Sequence, residues 1–500
     1  MRQYAARRAG LFGAMVLAGA VASGGDSGAT KRARDLTDVM RRRLEIGGSS
    51  SASITVAVRP GNVTLNPGQA QQFTAAVAGP ANTEVTWAVL EADGGSVDGT
   101  GLYTAPLAAG TYHVAATSVA DGAGSDTATI DVVVGGGPHL PMPLISRGAP
   151  VFSSGDLSPA SNANDNDYGS LWRSSGNPPV WIGYDLSGVP AAQRGSVVVA
   201  WYSDNWNYNY DHTGDVRYDC PGLYTIDAHA APGGGPPPAE NDPGWVKLAE
   251  VVSLNPYNAR QHVVSLTASG TIYNWIRMRI TQVNGSPQNQ DVVLNLDLHD
   301  AHLGLEDDWI FFGDSITAGA MSHIPRGDLT FSQIVHASRP GYSPVQQNGG
   351  VGGWSSPDGV AHIPAWLANF PGRYVGISFG TNDSWQVPPA QFYANYETIV
   401  RAVIAAGKIP VIPTIPWNRT GSAAFIPALN ARLDQLKAVY PEIVSGPDLW
   451  TFFETNQPLI SSDNLHPTDE GYVAYRRLWA ETMLEQVYPR PQATGRPAQR

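Results

Sequence analysis

Trp309-Ile310-Phe311-Phe312-Gly313-Asp314-Ser315-Ile316-Thr317 is the stretch on which the fold of this chain turns. Its four leading apolar residues read as a strand, and Gly-Asp-Ser then makes a tight turn. Beyond it, apolar runs alternate with helix-like segments. The runs are Tyr374-Val375-Gly376-Ile377-Ser378-Phe379 and Ile409-Pro410-Val411-Ile412-Pro413-Thr414; the helical segments cover 389–406, 427–440 and 468–488. Two of these segments open on a proline, which suits the first helical position. Alternation of this kind predicts an α/β domain with a parallel sheet over residues 305–490. Functional residues should cluster beyond the carboxyl ends of its strands.

Residues 139–303 read instead as β-structure rich in aromatics and Asn. The clearest strands are Trp181-Ile182-Gly183-Tyr184-Asp185-Leu186, Ser196-Val197-Val198-Val199-Ala200-Trp201, Trp275-Ile276-Arg277-Met278-Arg279-Ile280 and Val293-Leu294-Asn295-Leu296-Asp297-Leu298. With Ala160-Ser161-Asn162 and Leu171-Trp172-Arg173, their order resembles the discoidin-like, galactose-binding jelly-roll family, whose end loops often hold sugars. In the loop from Trp201 to Tyr210, Trp201 and Trp206 stand among Asn and Asp residues. Aromatic faces stack on sugar rings and amides bond hydroxyls, so both tryptophans are candidate carbohydrate contacts. The alternative is that Trp201 fills the sandwich core. Farther back, residues 53–134 hold short strands at spacings near ten, as in a small β-sandwich. Leu65-Asn66-Pro67-Gly68-Gln69, Val85-Thr86-Trp87 and Gly101-Leu102-Tyr103-Thr104-Ala105-Pro106 make this region resemble bacterial Ig-like domains. Gly135-Gly136-Gly137-Pro138 marks a linker between the two. The fold class is therefore multidomain: two β-sandwich domains followed by an α/β domain.

Composition agrees. Five hundred residues exceed one ordinary core, and 42% apolar with only 15% charged residues excludes a disordered chain. A net charge of −12 gives no basis for nucleic-acid binding. The single Cys220 excludes an internal disulfide framework. Arg2, Arg7 and Arg8, the apolar run 11–21 and Ala20-Val21-Ala22 predict a signal peptide over 1–22, hence a secreted or surface-displayed bacterial protein. The run is short of the roughly 20 residues a spanning helix needs. Residues 23–52 read as a linker, with a solvated basic stretch from Lys31 to Arg43, and 491–500 as a flexible tail. A monomer is expected.

Gly-Asp-Ser alone is a weak signal, since Gly25-Asp26-Ser27 repeats it in the N-terminal linker. Ser315 differs because a strand precedes it and a helix start follows. A serine hydroxyl needs a base to take its proton, and that base is best a histidine oriented by a carboxylate. Among eleven histidines only His466 has an Asp three residues earlier, Asp463, and Thr468 N-caps the helix that follows. Acyl transfer also needs donors for an oxyanion. Asn348-Gly349-Gly350-Val351-Gly352-Gly353-Trp354 offers close-approaching backbone N–H groups, and Gly380-Thr381-Asn382-Asp383 offers a side-chain amide. These four segments, in this order, resemble the SGNH (GDSL-type) hydrolase family over about residues 308–488. The resemblance implies a three-layer, flavodoxin-like fold. It also implies Ser315 as nucleophile, His466 as base, Asp463 as its orienting acid, and Ser315, Gly353 and Asn382 as oxyanion donors. Ile316 stands where many members have Leu, and Trp354 where many have Asp; Gly352 is the alternative donor and Trp354 an expected aromatic wall by the substrate.

Gly376-Ile377-Ser378-Phe379-Gly380 is a rival G-x-S-x-G motif, but its serine continues an apolar run without an immediate helix, so Ser378 reads as a packed strand residue. Asp297, His299 and His302 read as a solvated strand face, and Asn164-Asp165-Asn166-Asp167 as a turn, so no metal or other cofactor is expected. The expected activity is hydrolysis of carboxylic esters, with acetylated polysaccharide the leading substrate. The alternatives are lipid or polyester, or a carbohydrate-binding surface protein with a degenerate hydrolase domain.

Overall fold

A computed structural model describes residues 54–488 apart from 66–67, 107–109, 133–138, 204–219, 253–258, 269, 284–290 and 323–327. The expected signal peptide, N-terminal linker, C-terminal tail and Trp206 lie outside the described residues. In the first region, a four-stranded sheet (Asn62–Leu65, Ser125–Val132, Gly110–Ser118, Val85–Val89) packs with smaller sheets over Phe73, Tyr103, Val114 and Ile130. Alternation along Ser125–Val132 puts Ala128, Ile130 and Val132 inward and leaves Thr127 exposed, the period of two expected of a half-buried strand.

The middle region is a sandwich of two five-stranded antiparallel sheets. Its core is aromatic: Trp172, Tyr184, Trp201 and Tyr224 are buried between the sheets with Met278, Leu294 and Leu296. The strand Val293–Asp300 departs from the expected solvated face. Asn295, Asp297 and His299 are buried, because what covers that face is protein rather than water. Asp297 accepts from the Tyr168 hydroxyl and pairs with Arg147 at 3.2 Å; His299 Nδ1 lies 3.3 Å from the Met142 carbonyl.

In the third region, numbered from its own first strand, a five-stranded parallel sheet runs in the order β2-β1-β3-β4-β5. The strands are β1 (Asp308–Gly313), β2 (Val345–Gly350), β3 (Tyr374–Ser378), β4 (Ile409–Ile412) and β5 (Val444–Ser445). Between them run α1 (Ser315–Ala320), α2 (Phe331–Ser338), α3 (Ser356–Asn369), α4 (Pro389–Ala405) and α5 (Ile426–Val439); α6 (Leu449–Thr455) and α7 (Asp469–Gln486) complete the domain. The continuous apolar run of β1 is explained by its two faces. Ile310 and Phe312 pack with Trp366, Phe392, Tyr396 and Leu433 of α3, α4 and α5. Trp309 and Phe311 pack with Phe331, Tyr475 and Trp479 of α2 and α7. The result is an α/β/α three-layer domain of the expected class. β4 stops two residues before the expected end, at the Pro413 that cannot donate to a ladder. β2 was not among the expected strands; its last three residues begin the glycine-rich segment 348–354, and it is the edge strand beside β1.

Candidate active site

The order 2-1-3-4-5 reverses between β1 and β3, and such a reversal opens a crevice at the carboxyl ends of those strands. Gly313, the last residue of β1, pairs in register with Gly350 of β2 and Ser378 of β3. The three chains leaving these adjacent ends carry Ser315, the turn 351–354 and Asn382.

Ser315 is the first residue of α1. Asp314 N-caps that helix, its Oδ1 accepting from the Ile316 N–H at 2.9 Å. The Ser315 N–H lies in the first turn, where the helix has no acceptor to offer, so it is available to an anion. α1 settles close on β2: a Cβ on Gly350 would stand 2.2 Å from the Ala318 nitrogen, so only glycine permits this approach.

His466 comes from the far end of the sequence. The loop before α7 is closed by the Ser461 N–H donating to the His466 carbonyl at 2.8 Å, and Thr468 caps α7 by accepting from Gly471. Asp463 Oδ1 accepts from the Leu465 and His466 N–H groups at 2.8 and 2.9 Å and from the Ser461 hydroxyl at 2.7 Å. Its Oδ2 lies 2.7 Å from His466 Nδ1, and His466 Nε2 lies 2.8 Å from Ser315 Oγ. Burial pushes the Asp463 carboxyl up, but its hydrogen bonds outweigh that and hold it well below the usual carboxylate range. The site is open: the His466 side chain is 33% exposed and that of Asp463 is 50% exposed.

Gly353 is the third residue of a turn closed by Trp354 N–H to the Val351 carbonyl at 3.3 Å. Its φ of +80° is the left-handed value that a type II turn requires there, which favours glycine. Asn382 donates through Nδ2 to the Trp354 carbonyl at 2.7 Å. This bond fixes the amide and joins it to the Gly353 turn, leaving the second Nδ2 hydrogen for another acceptor.

Two carboxylates beside the site were missed as contributors. Asp383 accepts from the Ser356 N–H with both oxygens at 3.0 Å, and Asn395 donates to Ser356 Oγ at 2.9 Å. Asp383 thereby holds the start of α3 against the Asn382 loop, and its sequence signal was simply its place next to Asn382. Burial pushes Asp383 up to about 6, against the hydrogen bonds from Ser356. Burial pushes Asp314 up to about 7, against the Ile316 N–H and the nearby His466.

Ser315, His466 and Asp463 thus form one hydrogen-bonded chain, and Asn382 and the Gly353 turn form a second group. Trp354 is half-buried, stacked on His362 at 4.3 Å and on Trp366 at 5.4 Å between ring centroids. Trp201 is not a sugar contact. It is wholly buried in the middle sandwich, its Nε1 donating to the Tyr224 hydroxyl at 3.0 Å, because its strand places it between the sheets. Ser378 ends β3, half-buried and bonded to Tyr475, with no elbow into a helix. Asp165 and Asp167 accept from Asp167 and Gly169 N–H groups, as turn residues do.

Residues 311–474 match the model of the GDSL-like lipase/acylhydrolase family, and residues 53–132 match that of the bacterial Ig-like domain (group 2). Among solved structures, the chain is similar to a lipolytic protein of the G-D-S-L family from Veillonella parvula, at 25% identity over 36% of this chain and 96% of that one, with a TM-score of 0.30. It is similar to a lipase/acylhydrolase from Enterococcus faecalis at 21% identity over 37% and 98%, TM-score 0.31. An acetylxylan esterase from Geobacillus stearothermophilus matches at 18% identity over 37% and 95%, TM-score 0.31. No curated protein matches the chain at a significant level.

Proposed function

Residues 311–474 are a GDSL-like lipase/acylhydrolase domain preceded by a bacterial Ig-like domain, and we propose that this hydrolase domain cleaves carboxylic esters with Ser315 as its nucleophile. One observation carries the reading. Ser315 Oγ lies 2.8 Å from His466 Nε2, and His466 Nδ1 lies 2.7 Å from an Asp463 kept ionised by four hydrogen-bond donors.

His466 takes the Ser315 proton as Oγ bonds to the acyl carbon, and the carbonyl oxygen becomes an oxyanion. The Ser315 and Gly353 N–H groups and the Asn382 amide are its donors. The tetrahedral species collapses by breaking the ester C–O bond, and His466 passes its proton to the departing alcohol. Water then attacks the acyl-Ser315 in the same manner, His466 acting again as base, and releases the acid.

The substrate we propose is an acylated, chiefly acetylated, polysaccharide outside the cell. The open site supports this, because a short acyl group borne on a large carrier can reach Ser315 without being enclosed. A secreted, monomeric protein with no cofactor and no nucleic-acid partner completes the reading, and its sandwich domains are spacers or carriers. The test is acid release from a panel of acetylated oligosaccharides, long-chain lipid esters and ethyl acetate. Ser315→Ala should lower turnover by about 10⁴- to 10⁶-fold, and Ser378→Ala by far less. Loss in Ser378→Ala alone, or cleavage of long-chain lipids only, overturns the reading.

A further inference from the structure

Trp385 and Phe425 are the two tryptophan or phenylalanine side chains that stand prominently exposed among the described residues, at 50% and 62%. Both lie on the rim of the site. Trp385 ends the one-turn segment Asp383–Trp385 that leaves Asn382 directly. Phe425 ends the segment Gly421–Phe425, which packs against the first. The stretch leading to Phe425 is also strapped to the loop of the catalytic histidine: the Arg419 N–H donates to the Asn464 carbonyl at 2.8 Å, and its guanidinium to the Ser461 carbonyl at 2.6 Å.

A single exposed apolar side chain is ordinary, but two large aromatic rings carried on segments that pack together form a patch, and patches mark sites of interaction. Here the backbone that carries them also carries an oxyanion donor on one side and the Asp463 loop on the other. Ordinary packing does not account for them, since Ile426, the next residue after Phe425, is fully buried while Phe425 itself is not. Their exposed neighbours are mixed, with Gln386 and Arg419 among Pro388, Ala424 and Pro427, so the rim is an open surface and not the enclosed greasy channel a long acyl chain needs. Isolated aromatic faces among hydrogen-bonding side chains are the chemistry that recognises a sugar ring.

We propose that Trp385 and Phe425 are the platforms on which the sugar rings next to the acylated one rest, and that they set preference for an oligosaccharide carrier over a simple alcohol. This deepens the esterase reading and rests on it for the identity of the site. The experiment compares kcat/KM for acetylated xylo-oligosaccharides with that for ethyl acetate in the full chain. Trp385→Ala and Phe425→Ala should each lower that ratio by up to about tenfold, mostly through KM, whereas Trp385→Phe keeps most of it. Val439→Ala, which removes an exposed apolar side chain at the end of α5, is the control and leaves the ratio as it was. An unchanged ratio in both alanine variants overturns the proposal, as does a loss confined to long-acyl esters.

Binding separates the two readings. Titration of Ser315→Ala with the same acetylated xylo-oligosaccharides, followed by tryptophan fluorescence, should give a response that weakens when Trp385→Ala is added. A Trp385-dependent response in a chain whose wild type hydrolyses no ester overturns the esterase reading alone. No Trp385-dependent response overturns the platform.

Discussion

Two histidine–aspartate pairs in this molecule look alike on paper and do different things. His466 and Asp463 meet at 2.7 Å with side chains 33% and 50% exposed. His139 and Asp307 meet at 3.3 Å with side chains 5% and 0% exposed. The second pair is sealed in the seam between the middle sandwich and the parallel sheet. There Asp307 also accepts from the Tyr488 hydroxyl at 2.7 Å and the Ser343 N–H at 3.1 Å, while His139 Nδ1 faces the Tyr374 hydroxyl at 3.1 Å. Further carboxylates touch His113, His229 and His302. A histidine beside an acid is therefore common here and identifies nothing. Among the described residues, only His466 has a carboxylate on one ring nitrogen and a serine hydroxyl on the other, in reach of solvent.

The contrast can be broken most directly by giving both aspartates the same substitution. Asp463→Asn should lower kcat on the order of 10⁴-fold with little change in unfolding temperature, since the amide no longer holds the working tautomer. Asp307→Asn should do the reverse. Activity per folded molecule stays within a few-fold, while stability falls by about 1–3 kcal/mol as a buried network loses its acceptor. Kinetics and thermal unfolding on the same two preparations decide it; a catalytic defect in the seam variant would erase the distinction.

The next largest effect sharpens the open site. Asn382→Ala should reduce kcat by about 10²- to 10³-fold with KM nearly constant, the pattern of a donor used only in the transition state. A change confined to KM would return Asn382 to a scaffold role.

The smallest effect concerns Asp314, buried like the seam carboxylates but placed at the site. In the folded chain it keeps its proton to about pH 7, whereas an unfolded Asp releases it near 3.8. Between those values the native state binds more protons, so this group's contribution to stability falls as pH rises through the window. Thermal midpoints across that range should decline less steeply in Asp314→Asn than in the wild type. Equal slopes would place the proton elsewhere.

Much of this was legible in the residue string. Trp309 to Phe312 reads as a strand because nothing polar interrupts it, and the helices at 389–406 and 427–440 have ends within a residue or so of α4 and α5. Ser315, Asp463 and His466 could be picked out because each stands at a boundary between element types, where the local pattern is sharp. What was not legible depended on distant chain. β2 does not stand out as a strand because Gln346, Gln347 and Asn348 are polar. Yet Gln346 is buried, its amide donating to the Met321 carbonyl and its oxygen accepting from the Ser332 N–H, neighbours no local period can foresee. Asp297 and His299 looked solvated for the same reason: alternation shows that a strand has two faces, not what covers the second. Trp201 among asparagines fits either a sugar loop or a sandwich core, and only the opposing sheet decides.

That seam also bears on how the molecule can be taken apart. Glu306, Asp307 and Asp308 follow the last strand of the sandwich, Val293–Asp300, after a five-residue link, and all three are buried, Glu306 paired with Arg373 at 2.7 Å and Asp308 accepting from Gln261 at 3.0 Å. A hinge between independent modules would be exposed, flexible and indifferent to its neighbours. This one is interior to both. Cutting or lengthening the chain there would strand several carboxylates without their counterparts, so a break at this seam should destabilise the middle sandwich and the parallel-sheet domain together.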